Sequence, residues 1–525
     1  MPVSSVAAGQ FSAEYQRVKA LAERGLAHAQ HSLAFMYSNG QGVAQNHALA
    51  QAWYRRAAGQ GMAQAQYNLG VMCQKGQGIE QSFGQAAHWY RLAAEQGYAA
   101  AEYNLGWLYA KGHGVAADSA QALHWFSRAA AQGDAGAQNN LGMMYDSGKG
   151  VAQDAAQAVA WYRKAAEQGH ARAQFNLGLR CAGGQGMAAD PQQAMDWLGK
   201  AAAQDYAPAQ FNLALRYDKG EGVAPDRLAA VQWYRRAAAQ GHASSQFNLG
   251  LIFDNGQGVP RDEAAALGWY RQAAEQGHAA AQNNLGLHYE HGQGVAQDFG
   301  QAQHWYRRAA GQGFPAGQYH LGLLHDHGHG MPADQQEAVF WYRKAADQGH
   351  VRAQFDLGLH YETGQGVPRD ARLALAWYQR AAEQGYAAAQ YTLAQLHERD
   401  DGPAPDGARA HDWYRKAAEQ GHTLAQFALG LRHDNGQGVA QDYAAAHHWY
   451  VKAAQQGHAR AQLNLGLMYA SGQGAAADPT QAYLWLAMAA KNGAQGAAKF
   501  AQQAAGRMGA LELAQARQRL ELLPG

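Results

Sequence analysis

The stretch His320–Gly330, "HLGLLHDHGHG", holds His320, His325, His327 and His329 with Asp326 in eleven residues. Imidazole nitrogens beside a carboxylate are a donor set for Zn²⁺ or Ni²⁺. Two or three of these side chains could meet a cation, but no spacing of a structural zinc site is matched. A resident metal is therefore not expected, and no cofactor is implied. Other reactive patterns are missing: there is no Ser-x-x-Lys, Gly-x-Ser-x-Gly, His-Glu-x-x-His or Gly-x-x-x-x-Gly-Lys. Cys73 and Cys181 are the only cysteines, which is no disulfide framework. No catalytic residue is assigned.

What could position a site is set by the whole chain. Its 525 residues exceed one ordinary core. Lys and Arg number 42 against 41 Asp and Glu, so no long-range field draws in nucleic acid or an anionic membrane. No run approaches the roughly 20 apolar residues that span a bilayer, and the first residues lack a secretory pattern. A soluble, cytoplasmic monomer is expected.

Repetition organises everything else. Thirteen tryptophans, Trp53, Trp89, Trp125 and onward to Trp485, recur every 36 residues without insertion or deletion, and only Trp107 stands outside the series. Leu33 to Leu465 keep the same step. In "HAAAQNNLGLHYEHGQGVAQDFGQAQHWYRRAAGQG", residues 278–313, the small and apolar residues of each half fall at helical spacing. Asp298 has a counterpart in every unit, always Asp, Asn or Ser, a helix N-cap. Glycine closes the second helix in twelve units, Asp205 being the exception, and the Gly42 position is glycine in all thirteen. A hairpin of this size cannot bury its own apolar face, so neighbours must stack. The expected fold is an all-α solenoid, a right-handed superhelix of thirteen helix-turn-helix units over 26–493. A segment with a half-repeat cap (1–25) precedes them and capping helices (494–525) follow. Trp305 and Tyr306 are expected to fill the space between hairpins.

"YNLGWLYAKGHG" (Tyr103–Gly114) and "WYRKAAEQG" (Trp161–Gly169) closely resemble the Sel1-like repeat, a relative of the tetratricopeptide repeat. The resemblance implies a bacterial-type, non-enzymatic scaffold or adaptor that binds partner proteins or peptides. A bacterial immunity or virulence-associated binder, and a hydrolase or metal-dependent enzyme on the same scaffold, are the alternatives. The family's β-lactamase-associated members carry regular cysteine pairs that this chain lacks. The unit containing "HERDDGPAP" (397–405) departs most, with Asp400 at a loop glycine.

Positions that vary between units are candidates for function. Asp146, Asp218, Asp254, Glu290, Asp326, Glu362, Glu398 and Asp434 form an acidic row at the C-terminal ends of first helices, where the macrodipole disfavours negative charge. The row is expected to receive basic side chains of a partner along the concave face. A row of asparagines, Asn68 to Asn464, reads as bonding between neighbouring repeats. The aromatic row Tyr67 to Phe427 reads as core. Arg91 and Arg271 are expected to pair with Glu95 and Glu275.

Overall fold

The computed structural model describes residues 4–399 and 406–522. Asp400, with the rest of 400–405, lies outside the described residues. Those residues form twenty-nine α-helices and no strand. Helix α1 (Ser4–Glu23) is followed by thirteen helix pairs, the last ending with α27 (Pro479–Lys491), then by α28 (Ala497–Ala505) and α29 (Ala510–Leu522). The chain divides into two compact units, 1–262 and 263–525. In the first unit the hairpins begin with α2 (Ala27–Asn39) and α3 (His47–Gly59), and α14 (Ala243–Asn255) is its last helix. The second opens on α15 (Glu263–Glu275), and its last repeat hairpin is α26 (Ala459–Ser471) with α27.

Local chemistry sets the boundaries. In the repeat at 279–314, α16 (Ala279–His291) stops at Gly292, whose φ is +69°. The next helix, α17 (Phe299–Gly311), starts where the Asp298 carboxylate accepts the Gln301 N–H at 2.9 Å. The same cap forms from Asn46 to Asp478 at the twelve such positions whose contacts are described. Asp205 takes the turn with φ +57°, the only non-glycine among the described residues in the left-handed region. Its side chain accepts an amide hydrogen from Gln210 at 3.2 Å, a local bond of the kind that lets Asp tolerate this backbone.

First helices have caps of their own that composition does not suggest. His170, His350, His422 and His458 each accept a first-turn N–H on ring Nδ1, at 3.1–3.3 Å. Accepting requires an unprotonated Nδ1, and burial lowers the pKa of all four.

The core is a tyrosine set into a small-residue notch. Tyr90, Tyr270, Tyr306, Tyr342, Tyr378 and Tyr450 are fully buried, each on the second helix of its repeat. A methyl added at Gly286 would stand 2.5 Å from the Tyr306 ring, so the hairpin closes to backbone distance. Trp305 is buried, as expected, but it is not typical of its series. Most of the series is only partly buried, with the Lys or Arg three residues on over its ring, as for Lys164 on Trp161 and Lys416 on Trp413, both at 4.0 Å. Tyrosine fills the hairpin, while tryptophan is a half-wet flank held by a cation.

Repeats are joined by a glutamine ladder that the sequence pattern does not announce. Gln66 donates to the Ala58 carbonyl at 3.2 Å and accepts from Gln96 at 2.7 Å. Equivalent pairs recur through both units, for example Gln174 with Gln204, Gln354 with Gln384, and Gln426 with Gln456. At the chain's start, Gln30 donates to Ala22 of α1 at 3.2 Å, so α1 serves as a second helix for the first repeat.

One rung is different. Glu102, fully buried, replaces glutamine. Arg128 approaches its Oε1 at 2.9 Å and donates to the Ala94 carbonyl at 3.1 Å, the bond the missing amide would have made. Burial raises the Glu102 pKa, with Arg128 opposing. A raised carboxyl pKa disfavours the folded state once pH exceeds the unfolded value, and that penalty fades as pH falls through the folded value. Glu102→Gln is therefore expected to stabilise the first unit by about 1 kcal/mol near neutral pH. The gain should shrink in acid, as read from urea midpoints at the two pH values.

Candidate protein-interaction surface

The acidic row lies where the first helices end, and its carboxylates face the tyrosine of their own hairpin. Tyr306 donates to Glu290 at 2.6 Å, Tyr378 to Glu362 at 2.7 Å, Tyr414 to Glu398 at 2.7 Å and Tyr450 to Asp434 at 3.0 Å. In a repeat lacking an acid, Gln74 accepts from Tyr90 at 2.6 Å. In these repeats the position supplies an acceptor for a phenol whose ring is buried, which offsets the unfavourable macrodipole. The negative charge near them is one reason the tyrosines are hard to ionise: after burial, Glu290 raises the pKa of Tyr306 and Glu362 that of Tyr378.

Several of these carboxylates also take a basic partner from the next repeat of the same chain. Arg180 pairs with Asp146 at 2.5 Å and Arg432 with Glu398 at 2.6 Å, each across 34 residues. His360 reaches Asp326 at 3.3 Å by the same step. Asp218 lies 3.8 Å from Arg227. Asp254 is half-buried. Among the described residues, the second oxygens of Glu290, Glu362 and Asp434 take no hydrogen bond from the protein.

Two members of the asparagine row link repeats, whereas Asn212 donates to the Pro208 carbonyl of its own helix at 2.9 Å. Asn68 bonds His31 at 3.0 Å and Asn176 bonds Asn139 at 3.0 Å, both 37 residues back. The aromatic row packs between hairpins, as Phe355 does between Tyr378 and Tyr386, each 5.4 Å away. Arg91 and Arg271 turn from the expected glutamates to the hydroxyls of Tyr109 and Tyr289, at 2.6 and 3.0 Å. Those tyrosines lie on the following helix, and an exposed ion pair within one helix is worth too little to hold the arginine.

A further row is hidden in the sequence because one apolar residue per helix looks like core. Phe35, Val71, Trp107, Met143, Leu179, Leu215, Leu251, Leu287, Leu323, Leu359, Leu431 and Leu467 share one position on the first helices, with Gln395 the only polar member. None is buried: Phe35 is 45% exposed, Leu359 41%, Met143 39% and Leu179 37%, and the others are intermediate. Trp107, the tryptophan outside the 36-residue series, belongs here. A single exposed leucine means nothing, but the same wet apolar position in twelve repeats does. The signal was legible as the residue after the "NLG" glycine, had exposure been asked of it.

The histidine stretch resolves into separate environments. His320 stacks on Tyr306 at 5.2 Å, and burial with neighbouring cationic groups pushes its pKa down to about 4. His327 and His329 are exposed, 5.5 Å apart. No group of three or more His, Cys, Asp or Glu among the described residues is arranged to hold a metal ion. Cys73 and Cys181 are both buried, and burial raises both thiol pKa values. No helix among the described residues is long and apolar enough to cross a membrane.

Hairpins joined rung by rung define an α-helical repeat protein of the tetratricopeptide-like class. The Sel1 repeat model matches thirteen consecutive segments from 27–62 to 459–493, and the chain belongs to that family. A solved protective antigen of uropathogenic Escherichia coli strains is 37% identical, over 82% of this chain and 93% of that one, with a TM-score of 0.67. A Sel1 repeat protein from Oxalobacter formigenes is 37% identical over 59% of this chain and 90% of its own, with a TM-score of 0.49. An immunity protein from Pseudomonas aeruginosa is 25% identical over 41% of this chain and 81% of its own, with a TM-score of 0.29. Among curated proteins none matches the chain. Sel1 repeat proteins generally mediate protein–protein interaction.

Proposed function

We propose that the chain is a non-enzymatic scaffold that captures a partner protein or peptide on the exposed face of its first helices. The single observation behind this reading is the apolar row, which keeps part of its surface exposed in repeat after repeat. Its members offer one apolar contact per repeat, and the unbonded oxygens of Glu290, Glu362 and Asp434 lie one turn further along the same helices. A partner segment with apolar anchors and Lys or Arg between them has the matching chemistry. Asp146 and Glu398, already paired with arginines, contribute less to such a surface than Glu290 and Glu362.

The test compares variants for capture of the same partner. Met143→Ser, Leu179→Ser and Leu359→Ser together remove apolar area from the three positions of the row that are 37–41% exposed, leaving the tyrosine core in place. Partner affinity should fall about 10- to 100-fold, at roughly 25 cal/mol for each Å² of apolar surface that the partner no longer covers. Helicity should be unchanged. Glu290→Lys with Glu362→Lys should weaken capture further at low salt. Capture undiminished in the triple-serine variant overturns the reading.

A further inference from the structure

Asp326 is the member of the acidic row with a buried histidine in front of it. His360 lies on α20 (Val351–Thr363), in the repeat after α18 (Pro315–His327), and is 2% exposed. Its Nε2 stands 3.3 Å from Asp326 Oδ2 and its Nδ1 2.9 Å from the Gln365 carbonyl oxygen. A carboxylate and a carbonyl can only accept, so each nitrogen must donate and the ring must be imidazolium. The neighbouring repeats carry Leu324 and Leu396 at this position, both buried. Packing alone is therefore satisfied by leucine.

The groups around the pair are few. From α18 come Asp326, Tyr319 and His327, the last acting on Asp326 through its charge. From α19 (Gln335–Asp347) comes Tyr342, 5.5 Å from the imidazole and donating to Asp326 Oδ2 at 3.0 Å. On α20 itself lie Asp356, which accepts from Tyr319 at 2.9 Å, and Arg352 nearby. The second helix of that repeat adds Tyr378, a neutral phenol bonded to Glu362.

We propose that Asp326 and His360 form a pH-responsive clasp within the partner surface: the protonated ring holds the carboxylate in the joint, and loss of the proton frees it to take a basic side chain. The clasp rests on the preceding functional reading for its purpose, though not for its chemistry. Burial opposes charge on both groups, yet each favours the charged form of the other. Burial works to lower the His360 pKa, but its bonds to Asp326 and Gln365 raise it overall. Burial likewise works to raise the Asp326 pKa, but His360 and Tyr342 bring it below its usual value. Because the His360 value is raised on folding, its contribution to stability is complete below the unfolded value and is lost as pH rises through the folded one.

Histidine NMR titration of the full chain reads the clasp without any partner. His360 is expected to titrate above the exposed-histidine value of about 6.5. Asp326→Asn should lower its midpoint by roughly one unit or more. His360→Leu, which copies the neighbouring repeats, should remove the pH dependence of unfolding assigned to this joint. A midpoint at or below the exposed value, unmoved by Asp326→Asn, overturns the clasp even if the apolar row binds as stated. Binding of a lysine-rich probe peptide should rise about threefold across the His360 transition and stay flat in His360→Leu. Equal pH dependence in both proteins overturns the release step. Normal titration with undiminished capture by the triple-serine variant instead sinks the preceding functional reading.

Discussion

Gly150→Ala is expected to destabilise the first unit by about 3 kcal/mol or more, far beyond the usual effect of one methyl. Gly150 lies in the loop of one repeat at φ +75°, against the first residue of the preceding second helix, Ser119. A Cβ there would stand 2.6 Å from the Ser119 carbonyl oxygen and 2.8 Å from its carbon. Both atoms are backbone at a helix start, so neither can rotate away. Relief requires the two hairpins to part. Gly169, in the same repeat, supplies the control: its φ is +87°, yet nothing lies within 4 Å of an added Cβ. Gly169→Ala carries only the cost of the left-handed conformation, about 1–2 kcal/mol. Chemical denaturation of the two variants separates closeness from conformation, and equal losses would show that the loop-to-helix contact does not set the joint.

Gln354→Leu should cost about 2 kcal/mol although leucine is the more hydrophobic residue. The Gln354 side chain is buried, with its amide on the Ala346 carbonyl at 3.1 Å and its oxygen on Gln384 at 2.7 Å. Leucine removes the side-chain donor from the Ala346 carbonyl, which keeps backbone donors such as the Gly349 N–H at 2.9 Å, and breaks the buried bond to the Gln384 amide. Gln384→Ala removes the exposed partner instead, and water replaces it, so about 1 kcal/mol or less is expected. Thermal unfolding of the pair, read by circular dichroism, should rank Gln354→Leu well below Gln384→Ala. The reverse order would mean that the rung is held from the exposed side.

These two effects mark what the chain discloses before it folds. Helices, N-caps and αL glycines are local devices, and residues such as Asp298, Gly292 and Asp205 announce them by type and position. The solenoid followed from the 36-residue step together with those local signals. The joints were less legible because their chemistry spans two repeats. Gln354 reads as an ordinary polar residue until Ala346 and Gln384 stand beside it. The acidic row read as a surface feature because its acceptor role depends on a tyrosine sixteen residues on, as for Glu290 with Tyr306. The half-exposed leucines hid for the opposite reason: their type says core, and only geometry leaves them wet. Of the histidines that offered a donor set, His320 proved to be a ring stacked on Tyr306, while His170 and His350 act as caps and His360 as an ion-pair partner.

The joints also fix how the chain can be made. The bonds that tie repeats together close over 30, 34 or 37 residues in a chain of 525. Contact order of that kind is very low for the size, and low contact order goes with fast formation. During synthesis at about 5–20 residues per second, a 36-residue unit emerges in roughly 2–7 s, while helices and loops close in microseconds. Within each unit, a finished hairpin therefore waits only for the next to be translated before its rung can close. The nascent chain need never hold more than one repeat's apolar face open to its neighbours, which limits how long the tyrosine and alanine surfaces destined for burial stand exposed.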